Sequence, residues 1–161
     1  MTVVPIYELS YFVGNVLAAL SLLPEKDSAT LVTLSGDLGS GKTTFVQEFA
    51  RKLGINDVVQ SPTYVLMKSY PFEGDRTSFG RPRRYNRLIH IDAYRLETPE
   101  EFKTLRPEEF LNDPKALVLI EWPEKAGTLL PPADITLRFS GEGVGEMERE
   151  IHMETGDDMK Q

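Results

Sequence analysis

Lys42 and Thr43 are the pair of residue types that grip phosphate and its metal. They close the octapeptide Gly36-Asp37-Leu38-Gly39-Ser40-Gly41-Lys42-Thr43, which fills the pattern G-x-x-x-x-G-K-[ST]. In such a loop Gly36, Gly39 and Gly41 let the backbone approach an anion, Lys42 reaches the β and γ phosphates, and the Thr43 hydroxyl meets Mg²⁺. Gly39, Ser40, Gly41, Lys42, Thr43 and Thr44 are therefore the candidate nucleotide contacts. The loop works only where a strand runs into a helix, because the helix start then aims unpaired N–H groups and its positive dipole end at the anion. Leu31-Val32-Thr33-Leu34 supply the strand, and Phe45, Val46, Phe49, Ala50 and Leu53 recur at helical spacing behind the loop.

Two acids end apolar runs. Residues 116–120 are continuously apolar, as in a strand covered on both faces, and lead to Glu121; residues 88–91 lead to Asp92. Ligands of open α/β sheets bind outside the carboxyl ends of the strands. Glu121 is thus a candidate, with Thr43, for holding Mg²⁺ or its water shell. Asp92 is a candidate for that shell or for polarising an attacking water. Lys42, Asp92 and Glu121 form the candidate catalytic set. Thr63, in Ser61-Pro62-Thr63-Tyr64, is a candidate contact on the γ-phosphate side, and Arg95 a candidate charge stabiliser. His90 shares a strand face with Asp92, and H-x-D can bind metal, but a lone histidine in an apolar strand reads first as a core residue. Trp122, the sole tryptophan, reads as a half-buried anchor as readily as a direct participant.

The elements follow from periodicity and punctuation. Residues 10–23 have helical spacing with Ser10 as N-cap. Gly54 is expected just past the end of the helix behind the phosphate loop. Residues 65–70 read as a strand. Thr98, Pro99 and Glu101 give three signals for a helix start, and Pro107 divides that helix into two pieces. Residues 135–139 and 150–153 alternate as an antiparallel pair joined by the turn at 141–145. The expected fold is α/β: a P-loop NTPase-like three-layer sandwich with a mostly parallel central sheet and antiparallel C-terminal strands. Residues 1–155 read as one domain and 156–161 as a polar tail.

Composition sets the class. A chain of 161 residues, 40% hydrophobic and 27% charged, is an ordinary globular sequence. It contains no cysteine, which excludes a disulfide framework, a thiol nucleophile and a thiolate metal site and suits the reducing cytoplasm. No apolar run has the length of a membrane span, and residues 1–10 lack the basic start of a signal peptide; a soluble cytoplasmic protein is expected. The net charge of -7 argues against a whole-surface nucleic-acid footprint. Yet Arg76, Arg81, Arg83, Arg84 and Arg87 fall in a stretch without a single acid. That stretch lies in a long loop, residues 71–87, of the kind that is usually functional.

Four motifs, taken in order, resemble the bacterial TsaE (YjeE) family: the phosphate loop extended by Thr44, Ser61-Pro62-Thr63-Tyr64, His90-Ile91-Asp92-Ala93-Tyr94-Arg95-Leu96, and Glu121-Trp122-Pro123-Glu124. The resemblance covers residues 10–151. It implies a small P-loop ATPase needed for threonylcarbamoyladenosine synthesis on tRNA, acting with the proteins TsaB and TsaD, with ATP hydrolysis sustaining the cycle rather than performing the transfer. By position it assigns phosphate to Lys42, Mg²⁺ to Thr43 and Glu121, hydrolysis to Asp92, and to Ser10 a hydroxyl near the nucleotide. Contact with tRNA is implied only through the complex. The chain departs from the family pattern in the arginine-rich loop, in Glu146 where members often carry arginine, and at Leu105-Arg106-Pro107, where a glycine-containing turn is usual. Two other classes remain open at the phosphate loop itself. A small-molecule kinase would use the arginine loop as a lid, and a GTPase would need the guanine-reading tetrapeptide N-K-x-D, which the sequence lacks.

Overall fold

The computed structural model describes residues 2–60, 62, 64–72, 84–140 and 148–156. In chain order its elements are β1 (Thr2–Pro5), α1 (Leu9–Leu22), β2 (Thr30–Gly36), α2 (Lys42–Lys52), β3 (Met67–Pro71), β4 (Arg87–Asp92), α3 (Pro107–Leu111), β5 (Ala116–Glu121), β6 (Ile135–Ser140) and β7 (Glu148–Thr155). Short 3₁₀ segments occupy Ile6–Glu8, Pro99–Leu105, Pro123–Lys125 and Gly127–Leu129. The described strands form one sheet in the order β1-β7-β6-β2-β5-β4-β3. The four central strands β6, β2, β5 and β4 run parallel. β3 pairs antiparallel with β4, β7 with β6, and β1 with β7.

Every residue of β5 is buried, and its side chains alternate between two cores. Leu117 and Leu119, with Val32 and Leu34 of β2, pack beneath Phe12, Val13 and Val16 of α1 and Phe45, Val46 and Phe49 of α2. Val118 and Ile120, with Leu31, Ile89 and Ile91, pack on the opposite face against Leu96, Phe102, Phe110 and Ala126. This two-sided burial is the reason the strand reads as unbroken apolar sequence. Phe45 ties the first core together, with its ring edge-on to Phe12 at 6.3 Å and to Phe139 at 5.8 Å.

The second helical layer differs from its expected form. Residues Pro99–Leu105 form a 3₁₀ segment, not an α-helix, and Thr98 makes no side-chain cap. The Glu101 carboxylate accepts instead from the Glu97 N–H at 3.2 Å. Pro107 does divide the region, and Arg106 between the pieces takes φ 52°, ψ 61°, the left-handed conformation in which glycine is at ease. The α1 start also differs: the helix begins at Leu9 after a Glu8 N-cap, so Ser10 lies within its first turn. β1 was not foreseen, because Thr2–Pro5 carries too few residues for a period to show. Gly54 follows the α2 C-cap with φ 79°, as expected. Residues 141–147, which include the turn expected at 141–145, most of the arginine-rich stretch and the residues beyond 156 lie outside the described residues.

Candidate nucleotide site

β2 delivers the phosphate loop at its carboxyl end, and α2 leaves it at Lys42. Gly41, the N-cap, has φ 100°, a value that turns the backbone into the helix and that a side chain would strain. The first-turn N–H groups of α2 then lack carbonyls within the helix and face the loop. Gly36 serves another purpose. It pairs with Phe139 across β2 and β6, and at φ 132° an added Cβ would lie 2.2 Å from the Phe139 carbonyl oxygen. The first glycine of the motif therefore lets two strands close together.

Lys42 is 3% exposed. Its Nζ donates to the Gly36 carbonyl at 2.6 Å, the Asp37 carbonyl at 2.8 Å and the Ser40 hydroxyl at 3.4 Å. It also lies 3.9 Å from the centre of the Trp122 ring, a cation–π distance. Burial holds its pKa below the ordinary lysine value, while Glu121, Glu124, Asp92 and Asp37 pull the other way. The loop thus wraps the ammonium in its own carbonyls, in the place where phosphate oxygens would compete for it.

Thr43 and Glu121 are joined. The Thr43 hydroxyl lies 3.0 Å from both Glu121 carboxylate oxygens. From the sheet side, His90 Nε2 lies 2.8 Å from Glu121 Oε1, with both side chains almost fully buried. Asp92 is the register partner of Glu121 across β4 and β5 and is itself buried. Its Oδ1 accepts from the Tyr94 N–H at 3.0 Å, and its own N–H donates to the Leu66 carbonyl. Leu66, whose carbonyl accepts from the Asp92 N–H, and Trp122, which follows Glu121, both have left-handed backbone, φ 63° and 59°. Strain of this kind in non-glycine residues gathers at functional sites.

The carboxyl ends of β2, β4 and β5 thus bring together Lys42, Thr43, Asp92 and Glu121, with Gly39, Ser40 and Gly41 in the connecting loop. Thr44 is exposed on the first turn of α2 and borders a pocket walled by Val4, Leu9, Phe139 and Ile151, with Arg149 at its side. Ser10 is not drawn to the loop by any contact seen: its hydroxyl lies 3.5 Å from Arg51 Nη2, in the last turn of α2. Arg95 is exposed and stacks over Tyr64 at 4.5 Å. Thr63 lies outside the described residues. Two residues of the site, His90 and Trp122, were read in the sequence chiefly as packing residues, with a direct role left open. His90 reads as core because its neighbours are apolar; its place two residues before Asp92 was the available signal. Trp122 touches Lys42 through its ring and packs 5.1 Å from Tyr94, contacts that no spacing rule foretells.

The donor chemistry suits Mg²⁺. Thr43 and Glu121 offer a hydroxyl and a carboxylate, both hard oxygen donors, already in contact. Among the described residues no cluster of three or more His, Cys, Asp or Glu forms a site, and Mg²⁺ is ordinarily held by one or two carboxylates together with phosphates and waters.

A mixed sheet with four parallel central strands, a glycine-rich loop between β2 and α2, and an acid at the end of the neighbouring β5, defines a P-loop nucleotide-binding protein. A family model described as Threonylcarbamoyl adenosine biosynthesis protein TsaE matches residues 13–151. The chain belongs to the TsaE family. It is 35% identical over 126 residues to the tRNA threonylcarbamoyladenosine biosynthesis protein TsaE of Haemophilus influenzae, covering 78% of this chain and 72% of that protein. It is also 35% identical to the protein of that name from Borreliella burgdorferi, covering 70% of this chain and 76% of that one. The crystal structure of Bacillus subtilis YdiB superposes with a TM-score of 0.64 at 26% identity, covering 98% of this chain and 85% of that one. No helix among the described residues is long and apolar enough to cross a membrane.

Proposed function

We propose that this chain is the ATP-hydrolysing subunit of a cytoplasmic tRNA-modifying assembly. It supports formation of threonylcarbamoyladenosine on tRNA together with TsaB and TsaD and does not itself transfer the threonylcarbamoyl group. The observation that carries this reading is the contact of Thr43 with both oxygens of Glu121 at 3.0 Å, which couples the phosphate loop to the strand-end acid. The names of the relatives support the tRNA-modifying role.

In this reading the first-turn N–H groups of α2 bind phosphate oxygens, and Lys42 leaves the Gly36 and Asp37 carbonyls to pair with them. Thr43 and Glu121 hold Mg²⁺, which when bound supplies charge neutralisation at the phosphates. Asp92 orients the water that attacks the γ-phosphorus and accepts its hydrogen bond.

Lys42→Ala is expected to abolish phosphate release from ATP, because the chain places no other described lysine against the loop carbonyls. The check is phosphate release by the wild type and variant, alone and with TsaB and TsaD, while metabolites are assayed for a phosphorylated acceptor. Normal turnover in the variant would overturn the site. A phosphorylated acceptor formed in step with ATP consumption would replace the ATPase with a kinase.

A further inference from the structure

We infer that His90 is a positioning residue for the Glu121 carboxylate, fixing it from inside the sheet so that it presents the correct oxygen to the metal of the nucleotide site. The inference rests on the proposed Mg²⁺ role of Thr43 and Glu121. His90 and Asp92 share a face of β4, and the register pairs His90 with Leu119 and Asp92 with Glu121. His90 is therefore diagonal to Glu121, near enough for Nε2 to reach Oε1 at 2.8 Å. Its position two residues beyond Leu88, a member of the core beneath α1 and α2, sets its ring on the α2 side of the sheet.

The two contacts to the carboxylate are unequal in kind. Thr43 approaches from the loop, and its hydroxyl oxygen is the atom that a metal would claim. His90 approaches from an interior position with no solvent exposure, and no ligand competes for it. His90 thus keeps Glu121 in place when the ligand changes what Thr43 does. Orienting partners of this kind are as much a part of metal sites as the ligands.

The other ring nitrogen argues that packing alone does not account for the histidine. His90 Nδ1 is buried and has no hydrogen-bond partner among the described residues. Buried polar atoms are ordinarily paired, and an unpaired one is a cost to the fold. With the proton on Nε2 for Glu121, Nδ1 is left as a bare acceptor, the cheaper of the two orphans. A leucine at this position, between Leu88 and Leu119, would remove that cost. The residue is held against the preference of its core, and the Glu121 contact is what it gains.

The test is calorimetric titration of ATP into wild type, His90→Leu, His90→Gln and His90→Asn, with and without Mg²⁺, alongside thermal unfolding. His90→Leu is expected to lose about 10- to 100-fold of the Mg²⁺-dependent affinity, with its Mg²⁺-free affinity unchanged, while thermal unfolding shows whether it folds. His90→Gln, whose amide nitrogen can stand near Nε2, is expected to stay within about threefold of wild type, and the shorter His90→Asn to behave as His90→Leu. If His90→Leu does not fold, the glutamine and asparagine variants carry the comparison. Equal Mg²⁺-dependent affinities in those two, or a wild-type value in His90→Leu, would overturn the positioning role while leaving the nucleotide site intact. A wild type whose affinity ignores Mg²⁺ would overturn the metal reading and this inference with it.

Discussion

Lys42 shows how one residue can be prepared for a ligand at the expense of the protein that carries it. Its ammonium is buried, and the carbonyls that solvate it belong to the loop. Because burial lowers its pKa in the folded protein, the unfolded chain binds the proton more tightly. Stability linked to this group therefore rises with pH, from the lowered folded value up to the ordinary value of 10.5. In Lys42→Met the group is gone and this slope goes with it. Thermal unfolding of both proteins from neutral pH to pH 10 is expected to show wild type gaining on the variant as pH rises. A gap that stays constant or moves toward the variant would mean that the loop carbonyls compensate the burial in full. A phosphate oxygen supplies the counter-charge that the loop carbonyls give only in part, so the same burial that costs stability favours ligand.

At the scale of elements, the glycines of one motif divide their work. Gly36 stands at the end of β2 with its Cα hydrogen against the Phe139 carbonyl of β6, whereas Gly39 at φ 78° has nothing within 4 Å of an added Cβ. Gly36→Ala is expected to destabilise by roughly 3 kcal/mol or more, since backbone must move out of the way. Gly39→Ala meets only the left-handed penalty of about 1 kcal/mol. Chemical denaturation of the two variants checks the difference, and similar losses would show that the β2–β6 junction is pliant. The motif was legible in the sequence as a phosphate loop, and so were its strand, its helix and the two strand-end acids, because these rest on local spacing. The strand-closing task of Gly36 was not, since it depends on a partner a hundred residues along the chain. The same holds for His90: its spacing to Asp92 was visible, but its contact with Glu121 required the β4–β5 register. The Pro99–Leu105 segment went astray for the opposite reason. Its start signals were present in the sequence, but Thr98 makes no side-chain cap, and the seven residues, with Phe102 buried in the second core, form 3₁₀ turns. Arg106, left-handed between the two pieces, holds a conformation in which glycine is at ease.

For the whole molecule, the uneven spread of charge raises the question of which arginines hold the fold and which meet a partner. The chain carries net charge -7, yet it concentrates five arginines between residues 76 and 87. Two of the five have structural work. Arg84 donates to the Leu23 and Pro24 carbonyls at 3.0 and 2.6 Å, tying the strand-4 approach to the end of α1. Arg87 pairs with Asp113 at 2.7 Å. A partner-binding role for the cluster therefore falls to Arg76, Arg81 and Arg83, which lie outside the described residues. The two groups should separate by experiment. Arg84→Ala is expected to lower stability by about 1–2 kcal/mol, the worth of hydrogen bonds from a charged donor to carbonyls at a partly exposed site. Replacing Arg76, Arg81 and Arg83 together with serine tests the remaining positive charge of the cluster. If an anionic surface of TsaD or of tRNA is what they meet, the triple variant should bind the assembly about three- to thirtyfold more weakly at low salt, and the difference should shrink as salt screens the charges. Binding is measured with purified TsaB and TsaD, with and without tRNA. An unchanged affinity and salt slope would assign the excess of positive charge to solvent. Loss only in the presence of tRNA would place the contact on the nucleic acid, because a protein surface would lose affinity in both conditions.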